Sequence, residues 1–259
     1  MTDDQWFAEQ LLALGEEHAA EVMESPLKFA SELEADRLLF ADAFALLLGM
    51  LAQQHRTRPS EAWSVPRRLL SELGQDTLDA EWLAGHAPEV RRAFESGHVR
   101  GAPRRPMARI TIAAASRVVE SYDGDAESIW AGTTDPLEIR RRIREFDGAG
   151  PKISAMVPAL LWRFFDCDID EGGPIAVDAN VRRVFRRTGL CAIGQGADED
   201  VVIAAERVHR RSPMALDLGT WVVGRRWCRA GIADCGNCRL AARCAAATSA
   251  VTPAVRLSD

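Results

Sequence analysis

Apolar residues recur along this chain at helical rather than strand spacing. Phe40, Phe44, Leu47, Leu48 and Leu51 fall at i, i+4, i+7, i+8 and i+11, which is one face of a helix. Ile139, Ile143 and Phe146 repeat the pattern. The helix that carries them has a start signal: Asp135 at N-cap, Pro136 at N1 and Glu138 at N3 predict a capping box. Alternating apolar and polar runs joined by Asn-Gly or Asp-Gly turns are missing, and SYDGDAES (121–128) reads as a loop between two helices. No repeat of solenoid period is visible. The prediction is an all-α chain. Residues 246–259 are small and polar and are expected to form a disordered tail.

Composition narrows the class. A chain of 259 residues, 47% hydrophobic and 27% charged, is long enough for one large or two small helical domains with a real core. The longest apolar run, Ala43 to Ala52, is too short to span a bilayer, so no membrane partner is expected. The opening MTDDQW lacks the apolar core of a secretory signal, which leads us to expect a cytoplasmic protein.

Charge changes the picture in one respect. The net charge of −6 argues against a polyanionic partner, but its distribution does not. Residues 1–42 carry −9 and the remainder +3. The remainder holds basic runs at 104–109, 140–144, 182–187, 207–211 and 225–229. Taken singly, each run reads as the solvated face of a helix. Together they leave room for phosphate binding.

Four of the six cysteines lie within CRAGIADCGNCRLAARC: Cys228-x6-Cys235-x2-Cys238-x5-Cys244. Disulfides are rare in the expected compartment, so such a cluster points to a metal. Thiolates suit zinc and iron–sulfur clusters alike, and the chemistry alone leaves both open. A second stretch, REFDGAGPKISAM (144–156), places Gly148 and Gly150 between an amphipathic helix and a new helix starting at Pro151. The bland reading is an ordinary αα-hairpin, with Lys152 a surface lysine on the first turn. The sharper one is a turn that brings backbone N–H groups to a phosphate without reading sequence. A third, GGPIAVDANVRRVFRR (172–187), sets Asp178 before a basic amphipathic helix, where it reads as an N-cap.

Taken in order, these motifs resemble the endonuclease III superfamily of helix-hairpin-helix DNA glycosylases. LDLGTWVVGRRWC with the cysteine spacing after it resembles that family's cluster loop, and the resemblance runs from about residue 35 to 244. It implies a four-iron four-sulfur cluster on Cys228, Cys235, Cys238 and Cys244, held in a loop that offers Arg229, Arg239 and Arg243 to DNA. It implies a Gly148-Ala149-Gly150 hairpin on the DNA backbone. Lys152 stands where bifunctional members have the amine that attacks C1′, and a helix start favours the neutral amine a nucleophile needs. Asp178 stands at the acid that nearly all members require. LLGMLAQQHRTRPSEAW (47–63) resembles the turn that inserts a glutamine into the stack, so Gln53 or Gln54 would fill the gap left by a flipped base. From the residues alone, both read equally well as polar ends of a helix.

The implied architecture is two helical lobes with a DNA cleft between them. A six-helix bundle with the hairpin would span 36–165. A second lobe with the cluster loop would combine 1–35 and 166–245. Asp178 and Lys152 would face each other across the cleft. The implied partner is double-stranded DNA with a damaged base or abasic site, bound by a nucleoid-associated monomer. Three functions remain: a glycosylase with abasic-site lyase activity through Lys152; a monofunctional glycosylase for alkylated, deaminated or mismatched bases using Asp178 and water; and a non-catalytic DNA-binding module. The segment between Lys152 and Asp178 is longer than in typical members by about two helical turns. It includes Pro158, expected to kink its helix, and an acidic loop at 166–173.

Overall fold

The computed structural model describes residues 1–31, 42–54, 57–99, 104–165, 167–191 and 197–251. Phe40, His55, Arg56, Asp166 and residues 252–259 of the expected tail lie outside them, as do the side chains of Arg104 and Arg105. Within the described residues the regular structure is helical: α1 (Asp3–Ser31), α2 (Ala43–Leu51), α3 (Pro59–Leu73), α4 (Ala80–Gly85), α5 (Ala87–Glu95), α6 (Arg104–Tyr122), α7 (Pro136–Ile143), α8 (Pro151–Phe164), α9 (Ala179–Thr188), α10 (Asp198–Val208), α11 (Leu216–Arg226) and α12 (Ala245–Val251). None of the described helices is long and apolar enough to cross a membrane.

The chain divides into two compact units, 20–169 and 1–19 with 170–259. The division therefore falls inside α1, earlier than the expected break at residue 35. The helix is continuous, so the sequence offers no turn or proline there to mark it.

In unit 20–169, α2 is the buried hub: every residue from Phe44 to Leu51 is buried. Asp42 caps it, accepting from the amides of Phe44 (2.9 Å) and Ala45 (3.1 Å), worth about 1 kcal/mol. Its second oxygen accepts from Leu78 N at 3.2 Å. Gly49 lets α3 lie close, since a Cβ there would sit 2.6 Å from the Trp63 ring. Helix α6 packs against α4 and α5, and α7 against α8. The Ile139–Ile143–Phe146 stripe is buried, and Ile153, Val157 and Leu161 face the same core from α8. Helix α8 runs on through Pro158.

Asp135 caps α7 as predicted, accepting from Leu137 N at 2.8 Å. The other half of the capping box is absent. Glu138 instead binds Arg141 (2.8 Å) and Arg142 (2.9 Å), and Thr133 Oγ1 takes the Asp135 N–H. Two guanidiniums at i+3 and i+4 outcompete one amide for the carboxylate.

The other unit builds its core from Phe7, Leu11 and Leu14 of α1, Val181, Val184 and Phe185 of α9, Val201, Leu216, Val223 and Leu240. Helices α9 and α11 form its main contact. Two glycines permit close approach: a Cβ on Gly219 would collide with the Leu11 carbonyl, and one on Gly224 with Asn180. Residues 246–251, expected to belong to a disordered tail, lie in α12 (Ala245–Val251). The alanines there are strong helix formers, and Ala247 buries against the unit.

Candidate functional site

The hairpin is built by a glycine, two turn hydrogen bonds and two side-chain tethers. Gly148 adopts φ +84°, a conformation that costs side-chain-bearing residues dearly. Its position is also crowded, with a Cβ falling 2.7 Å from Ile110 Cδ1 and 3.0 Å from Gln54 Nε2. Gly150 differs. Its φ of −69° suits any residue, and a Cβ would meet nothing within 4 Å. No intramolecular packing demands glycine at 150; only something approaching from outside would. The turn closes through Ala149 N to Phe146 O (3.0 Å) and Gly150 N to Gly148 O (3.1 Å). Arg109 of α6 is ion-paired with Asp147. Gln54 donates to Gly148 O.

Helix α8 opens directly from this turn. Its N-cap is Gly150, which supplies no side-chain acceptor, and Pro151 occupies the first position. The helix start therefore lacks a side-chain cap, the arrangement in which a helix N-terminus can face an outside anion. Lys152 follows on the first turn, half-buried.

In the other unit Asp178 caps α9. Oδ1 accepts from Asn180 N (2.7 Å) and Val181 N (2.8 Å), and Oδ2 accepts from Asn180 Nδ2 at 3.1 Å. Three donors fix the carboxylate while leaving it partly exposed. The Asn180 amide is oriented in turn, because its oxygen accepts from Arg183 Nη2 at 2.6 Å. Arg183 also donates to Gly224 O (2.9 Å) and to Cys228 O (2.5 Å). One turn further on, Arg187 donates to Arg229 O at 2.7 Å and toward Cys228 Sγ at 3.7 Å. The helix that presents Asp178 thus also clamps the start of the cysteine loop.

That arrangement revises the reading of the basic run at 182–187. Arg182 pairs with Asp198, and Arg183 and Arg187 spend their donors on loop carbonyls. Their spacing at i and i+4 on one helix face was the available signal for a shared partner. The identity of that partner, backbone 41 to 45 residues away in sequence, was not readable locally.

The four cysteines line one cavity of about 160 Å³, together with Val184, Val223, Trp227, Leu240 and Ala247. All six cysteines are free thiols. Burial pushes the Cys238 thiol up; the Leu240 amide opposes this, and Cys228, Cys244 and Cys235 add to it. The four sulfurs are therefore close enough to feel one another's charge, and as thiolates they need a compensating cation. Four thiols on the walls of one apolar cavity are a donor set that suits a thiolate-bound metal centre, zinc or iron–sulfur alike. Cys167 packs against the core of unit 20–169, and Cys191, though in the same core as Cys228 and Cys238, does not line the cavity.

The expected loop arginines are differently engaged. Arg239 pairs with Glu17 of α1 at 2.6 Å, and Arg243 pairs with Asp3 at 2.9 Å while lying over the Trp6 ring. Arg229 is exposed, with Nε on Arg226 O at 3.1 Å. Gln53 folds back toward Gly49 O at 3.4 Å. Gln54 points its amide inward at Leu51 O and Gly148 O. Gly148, Gly150, Lys152, Gln53 and Gln54 belong to unit 20–169, and Asp178 with the four cysteines belongs to the other.

The fold is endonuclease III-like. A trapped covalent endonuclease III–DNA intermediate matches with a TM-score of 0.65 at 17% identity, covering 96% of this chain and 99% of that one. A non-covalent endonuclease III–DNA complex matches at 0.59 and 18% identity, covering 91% and 97%. A thermostable thymine-DNA glycosylase matches at 0.60 and 15% identity, covering 90% and 98%. No protein-family model and no curated protein sequence matches the chain.

Proposed function

We propose that this protein is a DNA glycosylase that flips and excises a damaged base and then cleaves the abasic site through Lys152. The observation that carries the reading is the α7–hairpin–α8 element. Inside an endonuclease III-like fold, a glycine turn opens a helix with no side-chain cap, vacant space beside Gly150, and a lysine on its first turn. That element offers a phosphate both amide donors and room for close approach.

In this account Asp178, held by three donors, stabilises positive charge on the sugar as the C1′–N bond breaks and the base leaves with the electron pair. The neutral Lys152 amine forms a new bond to C1′. The sugar ring then opens: the C1′–O4′ bond breaks, O4′ takes up a proton, and the nitrogen lone pair forms the protonated imine, which acidifies the 2′ proton. Its removal expels the 3′ phosphate, and water later releases Lys152. Cys228, Cys235, Cys238 and Cys244 would hold a four-iron four-sulfur cluster. When bound, the cluster supplies structural cross-linking of the loop rather than chemistry at the base.

Borohydride trapping on duplex DNA with one abasic site tests the lysine. A covalent adduct is expected with wild type and not with Lys152→Ala. The similarity to a thymine-DNA glycosylase, at a TM-score like that of the non-covalent endonuclease III complex, favours a second reading on one point. A mismatch or deamination substrate would need only Asp178 and water. DNA binding and base release without an adduct would decide for it.

A further inference from the structure

The sequence offers Gln53 and Gln54 as equal candidates for insertion into DNA; their side chains are used differently. The Gln54 amide nitrogen donates to Leu51 O at 2.5 Å, at the end of its own helix. It also donates to Gly148 O at 3.1 Å, 94 residues further along. A primary amide has two N–H groups, and here two carbonyls receive them, so its donor capacity is filled. The carbonyl end of the side chain must then point away, because it would repel both acceptors.

The receiving carbonyl is the pivot of the hairpin. Gly148 O also accepts the Gly150 N–H, the bond that closes the turn before α8. The Gln54 nitrogen, with Ile110, fills the space where a Gly148 Cβ would stand. On the far side of the turn, Asp147 is held by Arg109. The turn after α2 and the hairpin are therefore joined by a side chain rather than merely adjacent. Gln53 sits on the same turn with one long contact, 3.4 Å to Gly49 O.

We infer that Gln54 is a positioning residue. It latches the turn that carries Gln53 to the phosphate-gripping hairpin, so that the two engage DNA as one hydrogen-bonded unit. This rests on the DNA-binding reading above. The latch acts on the hairpin, which grips backbone whatever the base. Its loss therefore weakens binding to all duplexes alike, whereas loss of an inserting residue weakens binding only where a base is out of the stack.

Gln54→Met keeps the side chain's length and removes its donors. We expect faster amide hydrogen exchange at Gly148, Ala149, Gly150 and Lys152 without global unfolding. Affinity should fall about fivefold for an intact duplex, and by the same factor for one with a tetrahydrofuran abasic analogue. Gln53→Ala should leave hairpin exchange unchanged and weaken only the abasic duplex. Gln54→Ala repeats the contrast if the methionine disturbs packing. Unchanged hairpin exchange in both Gln54 variants would overturn the inference. So would a loss of affinity confined to the abasic duplex, which would make Gln54 the inserting residue. If wild type bound neither duplex, the DNA reading would fail, and hydrogen exchange alone would still decide whether the latch exists.

Discussion

Two glycines two residues apart in the hairpin have different reasons to be there. Gly148 is required by the fold, through φ +84° and through Ile110 and Gln54 beside it. Gly148→Ala should destabilise the chain by about 1–3 kcal/mol in urea melts. Gly150→Ala, at φ −69° and in open space, should cost little stability yet weaken duplex binding at least severalfold. Equal melting curves and equal affinities for the two variants would contradict the assignment of Gly150 to an outside partner. Glu138 supplies a residue-level pH dependence. Hydrogen bonds from Arg141 and Arg142 hold its carboxyl down at about 2, against 4.5 for an unconstrained glutamate. As pH falls, the unfolded chain takes up this proton first. The contribution is complete above about 4.5 and is lost between there and about 2. Glu138→Gln should flatten the acid limb of the stability curve in that window by lowering the neutral plateau toward the acid value. An unaltered acid limb would show that the pairs do not persist in solution.

At the scale of elements, α9 joins two tasks that sequence presents separately. Its N-terminus holds Asp178, and its arginines hold the backbone around Cys228. Arg183→Met would leave the carbonyls of Cys228 and Gly224 without a charge-assisted donor worth roughly 1.5–3 kcal/mol. It would also release the Asn180 amide that orients Asp178. We expect the purified variant to carry less iron per chain than wild type and to excise bases more slowly. Full iron content with unchanged excision would mean that Arg183 neither holds the loop nor orients Asp178. A colourless wild-type protein carrying zinc would remove the cluster from the account altogether.

At the scale of the whole molecule, the acidic N-terminus has a structural use. Asp3, Asp4 and Glu17 on α1 pair with Arg243, Arg207 and Arg239. The loop arginines that would otherwise be offered to phosphates are thus partly neutralised from within. Exposed pairs of this kind are individually weak. Phosphates can displace them only at a cost in affinity. Asp3→Asn with Glu17→Gln should raise duplex affinity and steepen its salt dependence by up to about two units of slope if both arginines then reach phosphate. An unchanged slope would assign Arg239 and Arg243 to holding α1 instead.

What the sequence disclosed follows from range. The helices, the Asp135 and Asp178 caps, the Gly148 turn and the cysteine spacing rest on neighbours within about one or two turns, so local pattern carries them. The direction of the Gln54 amide depends on a carbonyl 94 residues away, and the partners of Arg183 and Arg187 lie more than 40 residues off. The break inside α1 falls within a continuous helix, where no local signal marks it. No local pattern contains those facts.

We propose that Lys152 forms a covalent imine with DNA during base excision. Borohydride reduction of the protein on a duplex with one abasic site tests it directly, with Lys152→Ala beside wild type. A reduced covalent adduct is expected for wild type and none for the variant, with duplex binding retained in both. An adduct that persists in Lys152→Ala, or no adduct from a wild-type protein that binds the abasic duplex, would contradict it.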